Sequence, residues 1–173
     1  GFVEGNSAQY TWMVPHDVAG LAAALGGTAA ARARLDRFFT RLDAGPDAPY
    51  AFLGNEPGWI SPWLYDWLGA PSRTQDVVRR AILSLFSAEP DGYVGNDDLG
   101  QMSAWYVFGA LGFHPAASGT DVLVLASPLF PEAVLRLGDR TLTIAADGAR
   151  RDRPYVADVT LDGASLGRPW LRW

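Results

Sequence analysis

The sequence predicts a mainly α-helical chain that ends in antiparallel β-strands, and two patterns carry this prediction. Up to about residue 115, apolar residues recur at helical spacing between capping and turn residues. After Pro115 the pattern changes to short β-rich runs separated by turns that contain Gly and Asp. We therefore expect a helical region over residues 1–115 and a second region, 116–173, with its strands between about residues 120 and 173.

Four helices are expected at residues 18–25, 29–42, about 72–86 and 102–111, in addition to one that starts at Pro57 or Pro62. Their boundaries come from residues that start or stop helices: Asp17 before the first, Thr28 before the second, a capping box of Ser72 and Gln75 before the third, and Gly112 after the fourth. The polar segments between the helices are predicted to be turns.

The strand predictions rest on turn dipeptides and on alternation. Gly138-Asp139 separates two β-rich runs and indicates a hairpin of residues 133–137 with 141–145. Other expected strands lie at residues 122–125, 155–161 and from 170 onward. Such a set of strands is typical of part of a β-sandwich.

Composition excludes several classes of function. The chain has 173 residues, 49% of them hydrophobic, and a net charge of −5. It has no broad basic patch, which argues against a nucleic-acid partner. It has no Cys, hence no disulfide or thiolate metal site. Its most apolar run, 18–31, is shorter than the roughly 20 residues that span a bilayer, so no membrane partner is expected.

The segment 93–108 is the strongest functional signal. Asp97 and Asp98 lie between Gly95 and Gly100 and directly precede a hydrophobic helix. Two amides, Asn96 and Gln101, lie beside them. Clustered carboxylates and amides are typical of a hydrolytic or metal site. The alternative, that Asp97 or Asp98 only caps the helix, stays open at this point.

Two further segments combine acids, amides and aromatic rings. Glu4 follows two apolar residues and is either a general acid or a surface side chain. Asn55 and Glu56 lie in a tight turn that precedes Trp59. Aromatic faces near carboxylates suit sugar recognition, although such rings are as often part of the core. His16 is interpreted as a hydrogen-bonded structural histidine.

Three segments together resemble glycoside hydrolase family 92: residues 3–17 (VEGNSAQYTWMVPHD), 54–57 (GNEP) and 95–108 (GNDDLGQMSAWYVF). The resemblance continues through residues 111–115, 127–130 and 159–163 and covers essentially the whole chain. It implies a calcium-dependent, inverting exo-α-mannosidase. It also implies the last part of an (α/α)6 toroid over residues 1–115, followed by strands of a β-sandwich. The family's N-terminal sandwich domain is expected to be absent here and to be needed for a complete site.

The resemblance implies roles for individual residues. Catalytic residues would be Glu4 as general acid, Asp98 as general base and Asn96, which stands where many members have a second Asp. Calcium ligands would be Asn55, Glu56 and Asp98. Substrate contacts would come from Trp12, Trp59, Asp97 and Gln101. After Pro57, Gly58-Trp59-Ile60 replaces the histidines of many members, which affects the leaving-group subsite.

The expected reaction is hydrolysis of terminal α-mannosidic bonds, with α-1,2 as the expected linkage, in mannose-containing oligosaccharides or N-glycans. The family implies a secreted, periplasmic or cell-surface bacterial protein. One alternative is a non-catalytic carbohydrate-binding or structural fragment that lacks the rest of the active site. Another is a different toroid glycosidase without calcium dependence.

Overall fold

A computed structural model describes all residues, 1–173. The chain begins with helices and ends with antiparallel strands, as the sequence predicts. The α-helices are α1 (Ser7–Tyr10), α2 (Val18–Ala24), α3 (Thr28–Phe38), α4 (Leu64–Trp67), α5 (Pro71–Leu85) and α6 (Gln101–Leu111). Two 3₁₀ turns, Glu56–Gly58 and Ser61–Trp63, precede α4. None of the helices combines the length and the apolar character that a membrane span requires.

Helix boundaries follow local capping chemistry. The Asp17 carboxylate accepts a hydrogen bond from the Gly20 amide at 2.8 Å, which confirms the cap predicted for α2. Gly112 ends α6 in the left-handed conformation, also as predicted. The cap predicted at Thr28 is wrong, because α3 starts at Thr28 itself and Gly27 is its N-cap.

The capping box predicted for α5 is also wrong. The helix starts at Pro71, whose fixed backbone suits the first helical position, and Ala70 precedes it without a side-chain cap. Gln75 is buried and its Oε1 accepts a hydrogen bond from the Val156 amide at 3.1 Å. This side chain therefore joins the helical part to the strand part instead of capping its own helix.

Seven short strands follow the helices: β1 (Phe113–Pro115), β2 (Val122–Leu125), β3 (Glu132–Leu137), β4 (Arg140–Ala145), β5 (Thr160–Leu161), β6 (Ala164–Ser165) and β7 (Trp170–Arg172). They form a three-stranded antiparallel sheet in the order β1-β2-β7 and two hairpins, β3-β4 and β5-β6. The predicted hairpin is confirmed, with Leu137 paired to Arg140 across its turn. The strand predicted at 155–161 is restricted to Thr160–Leu161, in part because the Val156 amide is bonded to Gln75.

One hydrophobic core unites the two parts. It is built from aromatic and aliphatic side chains of the helical region, and Ala116, Val124 and Ala126 of the strand region belong to the same cluster. The ring of His114 stacks on Trp63, with centroids 5.1 Å apart. Burial lowers the pKa of His114. Division of the chain into toroid and sandwich portions stays a prediction.

Asp66 is an unusual member of this core. It is 5% exposed, and neither carboxyl oxygen has a hydrogen-bond partner. Burial raises its pKa from 3.8 to about 8, a shift that the neighbouring Thr74 hydroxyl opposes. The Thr74 hydroxyl nevertheless makes no hydrogen bond. With a pKa of about 8, Asp66 is mostly protonated at pH 7.

This burial predicts a stability that falls with rising pH. The folded-state pKa of Asp66 exceeds the ordinary value of 3.8. Its contribution to the free energy of unfolding is therefore fully present below about pH 4 and is lost as pH rises through about 8. Over that interval the free energy of unfolding should fall by about 1.4 kcal/mol per pH unit. Asp66→Asn, which stays neutral, should gain stability relative to the wild type by the same slope.

Urea unfolding at pH 5, 7 and 9 measures this difference. Asp91→Asn removes an exposed carboxylate and serves as the control. A difference between wild type and Asp66→Asn that is constant across the three pH values would show that Asp66 is ionised in the folded chain.

Candidate active site

Three polar segments that are distant in sequence meet on one surface. The Nδ2 of Asn55 donates a hydrogen bond to the backbone carbonyl of Glu4 at 2.7 Å. Gly54 lies against Gly95, so closely that a Cβ on Gly95 would overlap the Gly54 carbonyl oxygen. The turn at residues 54–57 thus touches both the Glu4 segment and the acidic turn. We call these three segments the junction: the segment around Glu4, the turn at residues 54–57 and the acidic turn at residues 95–101.

The Glu4 segment is anchored by the residues that follow it. Asn6 caps α1 and donates from Nδ2 to the carbonyls of Pro46 and Ala48, at 2.7 and 2.9 Å. Buried Gln9 donates to carbonyls of the same loop, including that of Gly45 at 2.9 Å. These amides fix the backbone that carries Glu4.

Glu4, Asp98 and Leu99 all have positive φ, at 63°, 47° and 62°. This left-handed region disfavours residues that have a Cβ, and such strain tends to occur at functional sites. Leu99 is also fully exposed. The conformation turns the chain sharply within two of the three segments of the junction.

The polar side chains of the junction divide into free and engaged groups. Glu4, Glu56 and Asp98 are exposed, and their carboxylates accept no hydrogen bond from the chain. The side-chain amides of Asn96 and Gln101 make no hydrogen bond within the chain either. The Asp97 carboxylate accepts bonds from the Ser103 amide and hydroxyl, at 2.9 and 2.7 Å. Asp97 therefore stabilises the start of α6, the alternative left open by the sequence, and only its other carboxylate oxygen is free.

The expected sugar contacts of Trp12 and Trp59 need correction. These rings are 1% and 3% exposed, and both belong to the core. Trp59 donates from Nε1 to the Leu53 carbonyl at 2.9 Å, and its own carbonyl accepts from Trp105 Nε1 at 2.9 Å. Their faces are therefore covered by protein, and we do not place them in the proposed site.

The junction supplies the kind of atoms that calcium prefers. Calcium takes six to eight oxygen ligands, and Glu56 and Asp98 provide free carboxylates. Asn55 is already engaged at both ends: its Oδ1 accepts from the Glu56 amide at 3.0 Å and its Nδ2 binds Glu4. The chain contains no cluster of three His, Cys, Asp or Glu side chains that could hold a metal. Its donors fit calcium in kind but form only part of a ligand set.

An open cleft of about 360 Å³ lies beside the junction. Glu56, Pro57 and Ile60 form one side, and Met13, Pro15 and His16 form another. Ala117 and Ser118, in the turn between β1 and β2, complete the lining. Sequence reasoning missed these two residues, because no local signal brings a strand turn to a helical loop. His16 is exposed here and makes no hydrogen bond, contrary to its interpretation as a hydrogen-bonded structural residue.

Comparison with known proteins identifies one family over the whole chain. The family model of the glycosyl hydrolase family 92 catalytic domain matches residues 1–173. The chain is 32% identical to a family GH92 α-mannosidase from Bacteroides thetaiotaomicron, solved in complex with mannoimidazole, with a TM-score of 0.90 over 98% of this chain and 24% of that one. It is 34% identical to an inverting GH92 mannosidase from the same organism, with a TM-score of 0.87 over 99% of this chain and 26% of that one.

A fungal relative is more distant in sequence. An uncharacterized secreted glycosidase of Arthroderma benhamiae is 29% identical over 164 residues, which are 92% of this chain and 20% of the relative. The chain belongs to glycoside hydrolase family 92. It spans about a quarter or less of the length of these relatives.

The close contact between Gly54 and Gly95 predicts that any larger residue at position 95 would clash with the backbone of Gly54. Gly95→Ala should open the junction, because its Cβ would overlap backbone that cannot rotate away. Gly100→Ala is the matched control, since Gly100 also has positive φ but its Cβ would meet nothing within 4 Å. The control should lose about 1–2 kcal/mol of stability from backbone strain alone.

Gly95→Ala should cost about twice that or more. Thermal and urea unfolding measure both variants. Equal losses for the two would mean that the turns at residues 54 and 95 are not in contact.

Proposed function

We propose that this chain carries the acid, the base and part of the calcium ligands of an inverting exo-α-mannosidase. The observation that supports this most directly is the junction, where Asn55 bonds the Glu4 backbone and Gly54 contacts Gly95. It brings together the segments that carry free carboxylates, in a chain of a family whose solved members include mannosidases.

The proposed reaction needs two carboxyl groups on opposite sides of the sugar. Glu4, protonated, gives its proton to the glycosidic oxygen as the bond from that oxygen to the anomeric carbon breaks. Asp98 takes a proton from a water molecule, whose oxygen forms the new bond at the opposite face. Inverting enzymes hold these groups about 6.5–9.5 Å apart, which leaves room for the water.

Three further side chains assist in this proposal. Asn96 has an amide and cannot accept the proton, so it would orient the attacking water while Asp98 acts as the sole base. Gln101 and the free oxygen of Asp97 would bind sugar hydroxyls. Because Asp97 also holds α6 through Ser103, its contribution is as much to position as to binding.

Calcium would be held in part by Asn55, Glu56 and Asp98. The ion would supply positive charge that binds sugar hydroxyls and favours distortion of the ring. The remaining oxygen ligands would come from water, from the sugar and from parts of the protein that correspond to the rest of the relatives' length. We propose α-1,2-linked mannosides of oligosaccharides or N-glycans as substrates, and export from the cell, as for the fungal relative described as secreted.

A non-catalytic carbohydrate-binding or structural role is the second candidate for the chain by itself. Two observations favour it: the incomplete set of metal ligands and the small share of the relatives' length that the chain covers. Under this alternative the site becomes active only when the family's N-terminal sandwich domain completes it.

The test compares two substrates that differ in their need for an acid. An α-mannobiose needs protonation of its leaving oxygen, whereas α-mannosyl fluoride releases fluoride without it. Glu4→Gln should therefore lose about 10²–10⁴-fold in rate on mannobiose and keep most of its rate on the fluoride. Asp98→Asn should lose both activities, and EDTA should abolish both in the wild type.

Glu89→Gln, which removes an exposed carboxylate from the turn before Tyr93, is the control and should behave as wild type. Loss of fluoride hydrolysis in Glu4→Gln, with folding intact by circular dichroism, would contradict the role of Glu4. If the 173-residue chain hydrolyses neither substrate but a protein that includes the sandwich domain does, the chain by itself has the non-catalytic role of the second candidate.

A further inference from the structure

We propose that Tyr10 is a positioning residue for Glu4. Its hydroxyl holds the Glu4 backbone in the left-handed conformation from which the carboxyl group reaches the leaving oxygen. The inference rests on the proposed function, in which Glu4 is the general acid. It assigns to the site a residue that is neither an acid, a base nor a proposed ligand of sugar or calcium.

The position of the Glu4 carboxylate depends on its backbone. Glu4 is exposed, and its carboxylate accepts no hydrogen bond from the chain. The backbone at Glu4 has a φ of 63°, in the left-handed region that residues with a Cβ rarely adopt. A conformation of this kind persists only where the surrounding structure holds it. The groups that hold this backbone therefore also set the direction of the Glu4 side chain.

Two side chains hold the peptide groups on either side of the Glu4 Cα atom. The Tyr10 hydroxyl donates a hydrogen bond to the Val3 carbonyl at 2.7 Å. The Asn55 Nδ2 donates to the Glu4 carbonyl, also at 2.7 Å. Because a peptide group is planar, a fixed carbonyl oxygen restricts the orientation of the whole plane. Together the two bonds restrict φ and ψ of Glu4, and with them the direction of its Cα–Cβ bond.

The Tyr10 ring is itself held on several sides. It is half-buried at the end of α1, next to Gln9, whose side-chain amide bonds carbonyls of the loop at residues 45–50. It stacks on Phe2, with centroids 5.0 Å apart and ring planes at 28°. It also lies against Gly5, where a Cβ would come within 2.9 Å of its Cε2. Gly5 has no positive φ, so its missing side chain serves the close approach of the ring.

Tyr10 differs from Asn55 in having no second task at the site. Asn55 also belongs to the proposed calcium ligands, so its substitution would alter binding as well as the backbone. Loss of the Tyr10 hydroxyl removes one hydrogen bond and leaves the stacked ring in place. The Glu4 backbone would then relax towards the favoured region with negative φ, and its carboxyl group would move away from the leaving oxygen.

Tyr10→Phe, assayed in the full chain with every domain present, tests the inference on two substrates. On an α-mannobiose, whose leaving oxygen needs a proton, kcat should fall by about ten-fold or more. KM should stay within about two-fold, because the contacts to the sugar are unchanged. On α-mannosyl fluoride, which needs no acid, kcat should stay within about two-fold of the wild type.

Tyr155→Phe is the matched control, because it removes a hydroxyl from a 64%-exposed ring in the strand region. It should match the wild type on both substrates. The ratio of the two rates is the deciding quantity, since a smaller folded fraction would lower both rates equally and leave their ratio unchanged.

The outcomes separate this inference from the function on which it rests. If Tyr10→Phe reduces both rates equally or changes neither, while Glu4→Gln loses only mannobiose hydrolysis, Tyr10 does not position the acid and the proposed function stands. If Glu4→Gln loses both activities with its fold intact, Glu4 is not the acid and the role of Tyr10 fails with it. If the wild type cleaves neither substrate, the proposed function and the inference both fail.

Discussion

The arrangement of this site depends on one side chain, the amide of Asn55. Its hydrogen bond to the Glu4 carbonyl joins segments 51 residues apart, and the neighbouring Gly54 contacts the acidic turn through Gly95. Carboxylates on exposed loops have no fixed separation by themselves. Backbone contacts of this kind restrict it, because they act on the chain that carries the side chains and leave the carboxylates unbonded.

Two buried tryptophans of the core hold the backbone next to the junction by hydrogen bonds. Trp105 of α6 bonds the Trp59 carbonyl, and Trp59 in turn bonds the Leu53 carbonyl just before Gly54. This chain of bonds connects the helix that follows the acidic turn to the turn at residues 54–57. The structure therefore gives Trp59 a supporting role beneath the turn at residues 54–57, where the sequence predicted contact with sugar.

Local chemistry allowed much of the fold to be predicted. The cap at Asp17, the stop at Gly112 and the hairpin at Gly138 are encoded within a few residues and are confirmed. The cap at Thr28 is wrong by one residue, whereas the error at Gln75 concerns a side chain whose partner is distant in sequence. Gln75 bonds Val156, 81 residues away, and so does not cap its own helix.

The site itself was harder to predict, since a tryptophan beside a carboxylate looks the same in a sequence whether it faces a ligand or the core. The Ser118 turn reaches the cleft only through the packing of the strands on the helices. No local pattern reports such contacts.

The most direct test of the account is a crystal structure of the full chain bound to a mannose-like inhibitor such as mannoimidazole, with calcium present. We expect the sugar ring to lie between the Glu4 and Asp98 carboxyl groups, at a separation of about 6.5–9.5 Å. Asn55 should still bond the Glu4 carbonyl. Carboxyl groups only about 5 Å apart, or a sugar bound away from the junction, would contradict the proposal of an inverting site built on this surface.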